Sequence, residues 1–120
     1  MWFGSSGVPL TYILASDLAG YLAAAVDASG VEGQRIDIGW DRPVTMQDIA
    51  DISSRMLGRQ IDLVLNPVRQ MGPDLGAMME WFGTGRYVAD TSRQREVFGP
   101  PPTAEDAVAR LLTSLGHKLD

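Results

Sequence analysis

RIDIGWDRPVTMQDIADISSRMLGRQIDLVL, the stretch from Arg35 to Leu65, decides how the chain reads. Arg35 to Trp40 (RIDIGW) reads as a short strand. Thr45 is placed to open a helix, and Asp48 stands three residues on in a capping-box-like arrangement. Ile49, Ile52, Met56 and Leu57 supply the helix with one apolar face, and Gly58 is placed to end it. Ile61 to Leu65 (IDLVL) is a short apolar run stopped by Asn66-Pro67, a turn signal. Strand, helix and strand in this order predict a parallel unit with a crossover helix.

Outward from this stretch the same alternation continues. Val8 to Leu14 (VPLTYIL) reads as a buried strand. Ser16 and Asp17 then start a helix that carries Leu18, Tyr21, Leu22, Ala25 and Val26 and closes at Gly30. On the other side, Pro73-Asp74 begins a helix with Leu75, Met78, Met79 and Phe82, followed by Gly83. Arg86 to Ala89 is a short extended piece, and Ser92 to Val97 a helical turn. After the stiff Pro100-Pro101-Pro102, Thr103 with Asp106 caps a last helix bearing Val108, Leu111, Leu112 and Leu115, closed by Gly116. The expected fold is therefore α/β, one domain over 1–120: a partial parallel sheet of about three strands with flanking helices. So small a sheet leaves a face and its edges open, and self-association to a homodimer is the expected completion.

The bulk properties narrow the function. The chain has 120 residues, 45% hydrophobic and 21% charged, which is globular composition. Its net charge of -5, with basic residues scattered except around Arg93 to Arg95, argues against nucleic acid as a partner. There is no cysteine, which fits a reducing, cytoplasmic setting and excludes thiolate chemistry. The longest apolar run, Leu18 to Val26, is interrupted by Gly20 and too short to span a bilayer, so no membrane partner is expected. The amino terminus has no basic segment ahead of an apolar one, the pattern a secretory leader requires.

Four segments in order carry a resemblance. They are LTYILASDLAGYLAAAV (Leu10 to Val26), RIDIGWDRPVTMQDIADISSRMLGRQI (Arg35 to Ile61), Met78 to Gly99 with its aromatic helix, GRYVAD and VFG, and Pro102-Thr103 with the closing helix. Together they resemble the carboxyl-terminal, substrate-side region of NmrA-like proteins, a branch of the atypical short-chain dehydrogenase/reductases. The resemblance covers nearly the whole chain and implies the last part of a Rossmann sheet with a smaller substrate-side domain. Two of that family's features are missing. No glycine-rich G-x-x-G-x-x-G or G-x-G-x-x-G turn occurs, so no helix amino terminus is arranged for a pyrophosphate. No Tyr-x-x-x-Lys occurs either: Tyr12, Tyr21 and Tyr87 are followed four residues later by Ser16, Ala25 and Thr91. The expectation is a chain with no cofactor and no hydride transfer, acting as a small-molecule-binding or interaction module.

A second expectation is a small cofactor-independent hydrolase, glycosidase-like. Ligands of open α/β sheets sit beyond the carboxyl ends of the strands. Those ends are Ala15-Ser16-Asp17 and Gly39-Trp40-Asp41, so Asp17 and Asp41 are the candidate catalytic carboxylates. A carboxylate pair divides acid and base roles when its two environments differ, and at roughly 5 Å or roughly 6.5–9.5 Å such a pair suits retaining or inverting glycoside hydrolysis. The structural alternative is that Asp17 complements a helix start and Asp41 precedes the turn at Arg42-Pro43. Trp40 beside Asp41, with Trp81 and Tyr87 from the soft aromatic stretch, are the candidate substrate-binding residues; their alternative is core packing. Asp48 and Asp51, Glu105 and Asp106, and His117 are read as helix-end or solvated groups. One histidine and no carboxylate loop motif leave no expected metal site.

Overall fold

The computed structural model describes residues 2–119. Five helices carry it: α1 (Ala15–Asp27), α2 (Met46–Leu57), α3 (Pro73–Phe82), α4 (Ser92–Phe98) and α5 (Ala104–Ser114). Strand structure among the described residues is one parallel pair, β1 (Trp2–Phe3) with β2 (Leu65–Asn66), in which Trp2 faces Leu65. Helix accounts for 49% and strand for 4%. The expected α/β fold, a Rossmann-like parallel sheet of about three strands, is therefore not formed, and with it goes the idea of a sheet completed by a second copy.

The reason lies in who satisfies the backbone. Residues 9–14, 35–40 and 86–89 do run side by side outside any helix, as their β-branched and aromatic residues favour. Leu10 and Val44 exchange a single antiparallel pair of bonds at 2.9 and 3.0 Å. Thr11 N–H donates to the Tyr87 carbonyl at 2.9 Å, and Trp40 N–H to the Tyr12 carbonyl at 2.9 Å. The other ladder positions are taken by side chains. Thr11 Oγ1 accepts from Ala89 N–H at 2.8 Å. Gln94 accepts from Gly39 N–H at 2.9 Å and donates to the Gly39 carbonyl at 3.1 Å. Pro9 has no N–H to contribute. Backbone groups paired in this way are satisfied, yet no repeating ladder propagates.

The helices follow the local signals closely. Thr45 Oγ1 accepts from Asp48 N–H, and Asp48 Oδ2 accepts from Thr45 N–H, both at 2.9 Å, a complete capping box at the head of α2. Gly58 closes α2 in the left-handed conformation at φ 66°, donating to the Ser54 carbonyl. Thr103 caps α5 through Asp106 N–H at 3.0 Å. Pro73 occupies the first turn of α3, where its missing donor costs nothing. The exception is α1, which begins after Leu14 with no side-chain cap and ends at Asp27, before Gly30.

The core forms where α2 crosses α5. Ile52 from α2 meets Ala104, Ala107, Val108 and Leu112 from α5, with Trp40 and Val44 from the connecting segment. The buried face of α5 thus runs through its alanines, and Leu111 and Leu115, expected from the sequence to be part of it, are exposed. Alanine at 104 and 107 lets α2 and the Trp40 ring approach closely, whereas leucines there would hold them off. The result is a flat body of 44 × 40 × 20 Å with a radius of gyration of 16.1 Å. An ordinary domain of this length has a radius of about 13.6 Å.

Candidate functional site

One broad face carries an open cleft of about 770 Å³. Its floor is the extended layer: Leu10, Thr11, Tyr12 and Ile13 from the first segment, Ile36 and Ile38 from the second, Val88 and Ala89 from the third. Leu18 of α1 closes one side, and Trp81 and Phe82 of α3 with Tyr87 close another. The aromatic wall is a packed cluster. Tyr87 lies edge-on to Phe82 at 5.0 Å and to Trp81 at 5.7 Å between ring centroids, within the range where edge-to-face pairs are favourable. Arg35, Asp37 and Arg86 stand in the lining as its charged groups. Arg35 approaches Asp37 at 3.5 Å, while Arg86 enters no ion pair among the described residues. Burial of the Tyr12 ring pushes its phenol above the usual range, so it stays neutral.

Of the residues singled out from the sequence, Trp81 and Tyr87 line this cleft. Trp40 does not: it is 3% exposed, in the core, with its ring 5.5 Å from Tyr12. Asp17 and Asp41 lie outside the lining too, and both are engaged with α5. Arg110 donates through Nη1 and Nη2 to the two carboxylate oxygens of Asp17 at 2.7 and 2.8 Å, and through Nε to Asp106 at 2.9 Å. That fork holds the Asp17 carboxyl below the usual range. Asp41 Oδ1 accepts from the Ala104 N–H at 3.1 Å, serving the first turn of α5, and faces Arg42 at 3.4 Å. A glycosidase acid needs a raised pKa in an apolar pocket; the Asp17 environment works in the opposite direction. Among the described residues no three His, Asp or Glu side chains gather closely enough to hold a metal ion.

Tyr12, Ile36 and Ile38 escape a sequence reading as cleft residues because they look like interior strand positions, and Arg86 carries no signal of its own. The usable signal is the crowding of Trp81, Phe82, Arg86 and Tyr87 within seven residues.

The second acidic pairing at α5 makes a pH prediction. Arg42 donates to both oxygens of Glu105 at 3.1 and 2.6 Å, and this fork brings the Glu105 carboxyl down to about 2. A depressed folded-state pKa means stability that is fully present above the ordinary carboxylate range and lost as pH falls toward 2. Both side chains are close to half exposed, so the contribution is small and salt-sensitive. Thermal melts of wild type and Glu105→Gln should differ at pH 7 in low salt and converge between pH 4 and 2 (roughly, from the ordinary glutamate range downward). Curves that stay parallel down to pH 2 would contradict this.

No protein-family model, no curated protein and no solved structure matches the chain. Among the described residues no helix is long and apolar enough to cross a membrane.

Proposed function

We propose that the chain is a non-redox small-molecule-binding module whose open cleft takes an apolar, ring-bearing organic anion. The observation that carries this is the cleft itself. Its volume of about 770 Å³ falls in the range of pockets that hold drug-sized molecules, about 300–1,000 Å³. Its walls are aliphatic and aromatic, with Trp81, Phe82 and Tyr87 offering ring faces and edges for stacking. Arg86 and Arg35 add planar guanidinium donors suited to a carboxylate or sulfonate. Three of the segments that resemble the substrate side of NmrA-like proteins contribute to the cleft, which agrees with a binding role inherited without the nucleotide turn. No observation favours the hydrolase alternative, since the two candidate carboxylates are engaged at α5 and away from the cleft.

The test is titration with an anilinonaphthalene sulfonate dye, followed by its fluorescence. Wild type is expected to bind, with Trp81→Ala weakening binding about tenfold, the equivalent of about 1.4 kcal/mol. Arg86→Gln is expected to weaken the sulfonate dye but not an uncharged analogue of the same ring system. Equal dye affinity in wild type and both variants would sink the cleft. NAD(P)H titration under the same conditions is expected to show no binding, and saturable binding would count against the non-redox reading.

A further inference from the structure

α1 is a helix without a partner. Its inward side rests on the body through Tyr21, whose ring meets Phe98 edge-on at 5.2 Å, and through the Asp17–Arg110 fork. No α1 residue is buried. Its outward side is Leu18, Ala19, Leu22, Ala23 and Val26, and Leu22 and Val26 are 65% and 82% exposed. Asp27, at the last position, is the only charge on that side. A contiguous apolar stripe is the face that a helix normally buries. A lipid surface is a poor match, because interfacial helices carry Lys and Arg on their polar face and α1 carries neither.

The total surface agrees with a missing partner. The chain exposes 7607 Å², whereas a compact monomer of its mass exposes roughly 6,300 Å². The excess belongs to the whole flat body, its uncovered cleft included, and is larger than the roughly 800 Å² that each partner contributes to a standard stable interface.

We propose that the outward face of α1 is the interface of a homodimer in which two α1 helices pack antiparallel about a twofold axis at Leu22. Leucine and valine spaced four apart form one ridge, and Ala19, Gly20 and Ala23 leave the adjoining groove shallow enough to receive the same ridge from the other copy. An isologous contact needs a self-complementary surface. Antiparallel packing sets Leu18 against Val26 and Leu22 against Leu22. Leu18 belongs both to this ridge and to the cleft wall, so the dimer narrows the mouth of the cleft. This helix pair is independent of any sheet.

Sedimentation velocity at tens of micromolar tests it, with dye binding as a separate readout. Wild type is expected at twice the chain mass. The double variant Leu22→Glu with Val26→Glu is expected at the chain mass, with its helical circular dichroism and its dye affinity within a few-fold of wild type. Trp81→Ala, by contrast, is expected to bind the dye about tenfold more weakly and remain a dimer. A chain free of cysteine allows a second measurement. Leu22→Cys should cross-link to a dimer with a short bis-maleimide at low concentration, and Leu115→Cys, comparably exposed just after α5, should not. A monomeric wild type, a double variant that stays dimeric, or equal cross-linking from both cysteines overturns the proposal. If the double variant loses helix, the Leu22→Cys comparison decides.

Discussion

Gln94→Ala is expected to destabilise the fold by roughly 2–5 kcal/mol, more than loss of any of the exposed ion pairs. Gln94 is fully buried at 0% exposure. Its carboxamide closes a two-point pair with Gly39, accepting at 2.9 Å and donating at 3.1 Å across fifty-five residues of chain. Alanine removes both partners at once and leaves the Gly39 N–H and carbonyl desolvated and unpaired, each costing about 1–3 kcal/mol. The emptied volume adds to the loss. In a chain of this size the thermal midpoint should fall by roughly 10 °C or more. Gln94→Glu separates the hydrogen bonds from the packing. Ionised, it accepts from Gly39 N–H but cannot donate to the carbonyl; protonated, it does both. Burial raises its pKa, so its stability deficit should shrink as pH falls from 8 to 5 (approximate bounds for a buried carboxyl). Denaturant midpoints across that range measure it, and a deficit independent of pH would contradict the two-point pairing.

The next largest effect is expected from Gly39→Ala. A Cβ on Gly39 would overlap Thr11 Cγ2, while Thr91 Cγ2 at 3.4 Å and the Tyr12 carbonyl at 3.5 Å would be in ordinary contact with it. Gly39 does not have a positive φ, so the penalty is crowding and not backbone strain. Overpacking of this kind costs roughly 1–3 kcal/mol, and here the segment cannot retreat without breaking the Gln94 pair on its other side. Thr11→Ser provides the control. It removes the offending methyl and keeps Oγ1, which Ala89 N–H needs. The double variant Gly39→Ala with Thr11→Ser should recover most of the lost stability, giving a coupling of about 1 kcal/mol or more in a double-mutant cycle. Additive losses would show that the methyl is not what Gly39 avoids.

These two residues also mark where a reading of the sequence stops. Gly39 reads as one residue of a strand, RIDIGW, and Gln94 as an ordinary member of a helical turn. Neither carries a local signal for the other, because the bond between them is made only when two distant segments are brought together. The same holds for Thr11 and Ala89. With those side chains in the ladder positions, three segments of strand-like composition lie alongside one another without becoming a sheet. Strand propensity reports that a residue suits an extended, half-buried path, and residues 9–14 and 35–40 do follow one; it does not report what will bond to the backbone. The cleft is equally non-local. Trp81 and Tyr87 are legible as an aromatic cluster, but Tyr12, Ile36 and Ile38 become its floor only because no further layer covers the extended segments. Asp17 and Asp41 look like a pair from strand ends, and Arg110 and the amino terminus of α5, which engage them, lie more than sixty residues further along.

What the sequence by itself determined are the features closed within one turn of chain. Thr45 with Asp48, Gly58, Pro73 and Thr103 with Asp106 set the ends of α2, α3 and α5, since caps are made by neighbours three or four residues apart. The tertiary structure alone decided the buried face of α5, the side-chain clamps that replaced a sheet, and which apolar residues stayed outside. Those outcomes depend on pairings between remote segments, whose energies are comparable among many alternatives and are resolved only by packing the whole chain at once.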